Sequence, residues 1–172
     1  METKNLTTVR ENPDENQLII SRNFNAPLNL VWRAWTEPEI LDKWFAPEPW
    51  KSVTKHMDFK EGGHRLYYMQ GPEGEKHWGK MMYIKIVPED FFNAEDGFCD
   101  ENGNINEEMP SSHWNVVFTE SETGTTVVGT TTFASTEALK QSIEMGVVEG
   151  TKICQDQLAE LLKELLTETQ NG

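Results

Sequence analysis

The chain has 172 residues, 37% of them hydrophobic and 10% aromatic, which is enough to bury a real core and excludes a disordered polypeptide. Its formal net charge of −14, from 29 acidic against 15 scattered basic residues, leaves no basic stripe for a nucleic-acid partner. Nothing approaches the roughly 18 consecutive apolar residues of a membrane span. The polar opening, Met1 to Gln17, lacks the apolar region of an export signal, so Cys99 and Cys154 are expected as reduced thiols in a cytoplasm.

Residues 1–16, rich in Asn, Glu and Thr, read as a flexible lead-in, and residues 17–172 as one domain. Gln17 to Asn25 alternates, with Leu18, Ile20, Arg22 and Phe24 on one side, and predicts a strand. Pro27 suits the first position of a helix that carries Val31, Trp32 and Trp35 at helical spacing. Thr36-Glu37-Pro38-Glu39 has the form of a capping box and predicts a second short helix to about Trp44. From Trp50 to Ala134 the pattern is an antiparallel meander. Turn chemistry at Glu61-Gly62-Gly63, Gly71-Pro72-Glu73-Gly74 and Glu122-Thr123-Gly124 punctuates it. An acidic, Asn-rich loop runs from Asp100 to Ser112.

The last element is a long helix expected to begin by about Met145 and end near Leu166. Val147, Thr151, Cys154, Leu158, Leu161, Leu162 and Leu165 fall on one stripe about 100° wide. The C-terminal half of that stripe is all leucine and packs densely. The N-terminal half is smaller and partly polar, with Gly146 and Gly150 beside it. Each glycine costs a helix about 1 kcal/mol against alanine and so needs a reason, such as a bend, a close approach or space for a ligand. Short strands, tight turns and a terminal helix make an α+β fold.

Several residues carry a resemblance. Phe24-x-Ala26-Pro27, Val31-Trp32-Arg33-Ala34-Trp35-Thr36, Pro38, Leu41 and Trp44-Phe45-x-Pro47 open the match. Gly62-Gly63, Ile86-Val87-Pro88-Glu89, Thr126, Met145-Gly146, Gly150 and Leu158 follow in order. Together they resemble proteins homologous to the activator of the ninety-kilodalton heat-shock protein ATPase. The resemblance implies the helix-grip fold of the START-like (SRPBCC) superfamily. In that fold a curved antiparallel sheet of six to seven strands grips a long C-terminal helix, with two short helices after the first strand. The family commonly carries tryptophan where this chain has Val147 and Thr151, which implies a roomier cavity here. Such folds host ligand carriers, enzymes and co-chaperones alike.

The residues themselves supply few catalytic motifs. His56, His64, His77 and His113 have no metal-ligand spacing, and pairing about the turn near residue 73 sets His64 close to Tyr83 and far from His77. The loop from Asp100 has Ile105 where a calcium loop needs glycine. Cys154 has no base within a helical turn. No cofactor is therefore expected. The aromatic set is more suggestive. Tyr67, Met69, Tyr83, Trp114 and Phe118, with Val128, Thr130, Val147, Thr151 and Cys154, are candidates to line a concave face around a small apolar or amphipathic molecule. Arg65 shares strand parity with Tyr67 and Met69; on a concave face it is expected to anchor a ligand carboxylate, and on a convex, solvated face it has no specific role. A co-chaperone module with a chaperone partner, and a cavity enzyme using Arg65 or Tyr83, are the alternatives. The sequence leaves monomer and homodimer open.

Overall fold

The computed structural model describes residues 5–171, with side chains through residue 168. Eight antiparallel strands form one sheet: β1 (Thr8–Asn12), β2 (Gln17–Phe24), β3 (Lys51–Met57), β4 (His64–Gln70), β5 (Lys76–Val87), β6 (Phe91–Phe98), β7 (Ser112–Ser121) and β8 (Gly124–Phe133). Their order in space is β1-β2-β8-β7-β6-β5-β4-β3. Two short helices, α1 (Leu28–Thr36) and α2 (Pro38–Leu41), carry the chain from β2 to the far edge at β3. After β8 come α3 (Thr136–Glu144) and the long α4 (Val147–Asn171).

Three expectations need correction. Part of the stretch read as a lead-in is an edge strand. Thr8–Asn12 pairs with β2 from Thr8↔Ser21 to Asn12↔Gln17 through a 3-10 turn at Pro13–Glu15, which raises the strand count to eight. Residues 1–4 lie outside the described residues. The capping box at Thr36 does not form. Thr36 is the last residue of α1 and its hydroxyl donates to the Trp32 carbonyl, while α2 starts after Glu37 and ends at Leu41. The terminal helix is also preceded by α3, whose N-cap Ser135 accepts from the Ala138 amide. Gly146 separates the two helices at φ 92°, a left-handed conformation that glycine adopts without steric cost. One of the two puzzling glycines is therefore a hinge between helices, and α4 runs from Val147 past Leu166.

The leucine half of α4 packs as its periodicity predicts. Leu158 is fully buried and Leu161 and Leu162 nearly so, against Trp32, Trp35, Phe92 and Phe118. Trp32 stands edge-on to Phe118 at 4.9 Å, and Phe59 edge-on to Tyr83 at 4.8 Å, so one half of the concave face is filled by aromatic rings. Leu161→Ala should cost about 2–3 kcal/mol in denaturant titration, the lower part of the range for buried leucine because the residue stays 8% exposed. A loss below about 1 kcal/mol would mark α4 as peripheral.

Two polar ties hold α4 in place. Buried Arg22 donates to Asp156 at 2.6 Å, linking β2 to the helix. The Gln157 amide donates to the Trp44 and Ala46 carbonyls at 3.1 and 2.8 Å. That side chain fixes the 44–48 segment, and with it Phe45 and Pro47, beside the N-terminal half of the helix.

Candidate ligand cavity

Where α4 carries small side chains, the concave face is empty. A cavity of about 630 Å³ lies between the sheet and the first two turns of α4. Leu18, Ile20, Val116 and Val127 form part of its apolar wall, and Phe45, Trp50, Tyr67, Phe98 and Trp114 supply aromatic surface. Val147, Gly150, Thr151 and Cys154 roof it. A β-carbon built on Gly150 meets only Pro47, at 3.8 Å, so this glycine borders space rather than a tight contact. His77 and Met145, both exposed, mark where the cavity meets solvent.

Of the residues expected at the site, Tyr67, Met69, Trp114, Thr130, Val147, Thr151 and Cys154 come together around this space. Arg65, Tyr83, Phe118 and Val128 do not line it. Tyr83 and Phe118 belong to the filled aromatic half. Val128 neighbours buried Val127 on its strand, and alternation sends it to the opposite face.

Arg65 lies on the concave side of the sheet and is 1% exposed, yet it is already occupied. Its Nη2 donates to Asp42 Oδ1 at 3.0 Å and to Ser52 Oγ at 2.9 Å, and its Nε donates to Thr54 Oγ1 at 3.0 Å. The guanidinium carbon sits 4.2 Å from the Tyr67 ring centroid and 4.7 Å from that of Phe45. Asp42 at the end of α2 supplies an anion for it, so the charge is balanced within the protein, behind the Tyr67 and Phe45 rings.

The polar group inside the cavity is one that sequence reading missed. Asp96 follows Phe92 and Ala94 at the strand period, which places its carboxylate on the same concave face. Tyr67 donates its hydroxyl to Asp96 Oδ1 at 3.0 Å. Gly79 makes this possible. It pairs directly with Tyr67, and a β-carbon there would come within 2.7 Å of the phenol ring. The tyrosine therefore lies flat across β5 to reach β6. Burial pushes the Asp96 carboxyl up to about 7, against the opposing pull of the Tyr67 hydrogen bond and the Arg65 charge. Burial likewise raises the Tyr67 phenol well above its ordinary value and pushes the Cys154 thiol up to about 12. Cys154 is a neutral wall residue at physiological pH.

Outside the cavity, two other expectations meet the structure. His64 pairs with Met82 rather than Tyr83, and its ring lies 4.9 Å from that of His56. These two histidines are neighbours on the outer face, not isolated. In the acidic loop, Asp100 Oδ1 accepts from the Asn102 and Asn104 amides, both at 2.9 Å, so its carboxylate braces its own turn.

A curved antiparallel sheet closed by a C-terminal helix over an internal cavity, with two short helices between β2 and β3, defines a helix-grip protein of the START-like type. Comparison with known proteins agrees. Residues 25–163 match the family described as Activator of Hsp90 ATPase homolog 1-like protein, and the chain belongs to that family. Among solved structures, it is similar to protein Ms6760 from Mycobacterium smegmatis, with 34% identity and a TM-score of 0.84, over 91% of this chain and 96% of that one. It is also similar to a protein from Arthrobacter aurescens, with 30% identity and a TM-score of 0.86 over 91% of each chain. A Staphylococcus epidermidis protein is 29% identical, with a TM-score of 0.80, over 91% of this chain and 94% of that one. No curated protein matches the chain.

Proposed function

We propose that the protein binds a small amphipathic molecule in the cavity between the sheet and α4. The observation that carries this reading is the half-filled concave face. One end is packed with aromatic rings, and the other leaves about 630 Å³ walled by apolar side chains around a single carboxyl–phenol pair. Pockets of roughly 300–1,000 Å³ with few polar groups on an apolar wall are the common form of small-molecule sites. The apolar body of the ligand lies against Trp114, Val116 and Val147, and its polar end meets Asp96 and Tyr67.

Val147 is the position to test, because it roofs the cavity and is only half-buried. An environment-sensitive hydrophobic dye should bind the native protein. Val147→Trp should weaken that binding by tenfold or more, or about 1.4 kcal/mol, by filling the space without adding charge. Unchanged dye affinity in a folded variant would move the binding surface elsewhere. The same variant separates a chaperone-directed role, since stimulation of a chaperone ATPase through the outer surface survives it. The exposed large hydrophobics Leu6, Ile84, Ile105, Met145 and Ile153 sit on separate segments, which gives that role little support.

A second reading rests on Asp96 itself. A cavity carboxyl that titrates near neutrality suits general acid–base catalysis on a bound molecule. In that case Asp96→Asn abolishes turnover while leaving dye binding intact.

A further inference from the structure

We infer that the molecule bound in this cavity carries a protonated amine on an apolar body, and that Asp96 and Tyr67 receive the amine. This rests on the cavity reading above and adds the chemistry of the head group. At the Asp96–Tyr67 pair the polar atoms are acceptors, whereas the donors without a partner among the described residues, Trp35 Nε1 and the Ser142, Thr151 and Gln155 side chains, belong to other parts of the lining. Tyr67 uses its one hydroxyl hydrogen on Asp96 Oδ1, which leaves the phenol oxygen as an acceptor. Among the described residues, no side chain or amide donates to Asp96 Oδ2. A head group rich in N–H donors satisfies these oxygens; a carboxylate would set a second anion against Asp96 wherever Asp96 is ionised.

The surroundings point the same way. The cation nearest the site, Arg65, donates from Nε and Nη2 to Asp42, Ser52 and Thr54 and lies behind the Phe45 and Tyr67 rings without lining the cavity. Lys76 and Lys80 are turned to the outer face, where one lies over Tyr68 and the other donates to the Gly103 carbonyl. Of the lining residues only His77, at the rim, is able to carry a positive charge. Phe45 joins Tyr67 and Trp114 into a continuous aromatic surface, with centroid separations of 5.6 and 6.1 Å. Arg65 already lies over Phe45 and Tyr67, at 4.7 and 4.2 Å, while among the described residues no cation lies over Trp114; an aromatic face of that kind beside a carboxylate is a favourable lodging for an ammonium group and an indifferent one for an anion. The net charge of −14 further favours the approach of cations to the protein as a whole.

The titratable groups facing Asp96 are Tyr67 and Arg65 on β4, Tyr83 on β5 and Cys99 just beyond β6. Cys154 and Gln155 close the cavity from α4. Arg65 is the only one of these that is charged at neutral pH, and its charge is balanced by Asp42. An ammonium arriving at the site therefore pairs with an ionised Asp96, and below neutrality its binding expels the Asp96 proton.

The test is calorimetric titration of the intact protein with octylamine, octyltrimethylammonium, octanol and octanoate, which share one tail and differ in head group. Octylamine is expected to bind tightest and octanoate weakest. Octylamine affinity should fall as pH drops through neutrality, while octanol affinity stays level. Asp96→Asn should weaken octylamine by about thirtyfold or more, as expected when a buried charge pair loses one member, and octanol by far less. Tyr67→Phe should weaken octylamine more than octyltrimethylammonium, because only the former donates hydrogen bonds. Equal affinity for octylamine and octanol in the native protein overturns the amine assignment but leaves the cavity reading standing. Tighter binding of octanoate does the same and returns the anchor to a cation. Failure of all four probes and of the hydrophobic dye overturns both readings. The native-protein comparison needs no variant, so a misfolded mutant does not spare the inference.

Discussion

Asp42→Ala is expected to lower the folding free energy by about 3–5 kcal/mol, because it strands a guanidinium that is only 1% exposed. Asp42 accepts from Arg65 at 3.0 Å, from Ser52 Oγ at 2.9 Å, and from the Thr54 amide and hydroxyl at 2.9 and 2.8 Å. It thereby joins α2 to two strands. Arg65→Met should cost less, since the Asp42 side chain is 25% exposed and hydrates when its partner is removed. The double variant should recover part of the Asp42→Ala loss, because no uncompensated buried charge remains. Denaturant titration of the three variants measures the coupling. A loss under about 1 kcal/mol for Asp42→Ala would mean that water takes the place of the carboxylate.

The second large effect is a pH dependence with an unusual sign. Most carboxylates in folded proteins are stabilised as anions, so stability rises with pH. Asp96 does the reverse. Its carboxyl is pushed up to about 7 from an ordinary 3.8, so the folded chain holds this proton where the unfolded chain has released it. The contribution is fully present below about pH 4 and is lost as pH rises to about 7. At most it amounts to about 4 kcal/mol, and hydration of the cavity reduces it. Asp96→Asn keeps an acceptor for the Tyr67 hydroxyl and has no proton to lose. Relative to the native protein, it should therefore gain stability steadily across that interval. Unfolding free energies of both proteins at several pH values give the difference directly. A difference that stays flat with pH would show an ordinary, solvated carboxylate.

The pH result and the amine inference share one residue but fail separately. A flat stability difference leaves the head-group preference to be read from the titrations. A normal octylamine affinity in Asp96→Asn removes the amine assignment whatever the stability curve shows.

Periodicity made much of this protein legible in advance. The α4 stripe, the alternation of the strands and the order strand, two helices, meander, helix are local patterns that a chain states in its own spacing. The contrast between leucines at 158–162 and small residues at 147–154 already said that one half of the helix packs and the other leaves room. Strand parity placed Tyr67, Met69 and Arg65 on one face together. The same rule applied to Phe92, Ala94 and Asp96 puts the carboxylate on the concave face, so this group too is legible in the spacing of β6.

Other features depended on groups far apart in the chain. Asp42, at the end of a four-residue helix, meets Arg65 only because α1 and α2 bring the chain to the far edge of the sheet, and that contact balances the Arg65 charge within the protein. Thr8–Asn12 has too few apolar residues to announce a strand, and becomes one because β2 presents an open edge to it. Gly79 permits Tyr67 to cross a strand and reach Asp96 solely through the register of β4 on β5. Local spacing determines which face a side chain takes, because that follows from backbone geometry within a few residues. Which charge is neutralised and which faces an empty space is decided by the tertiary structure, because pairing and desolvation depend on neighbours the sequence places dozens of residues away.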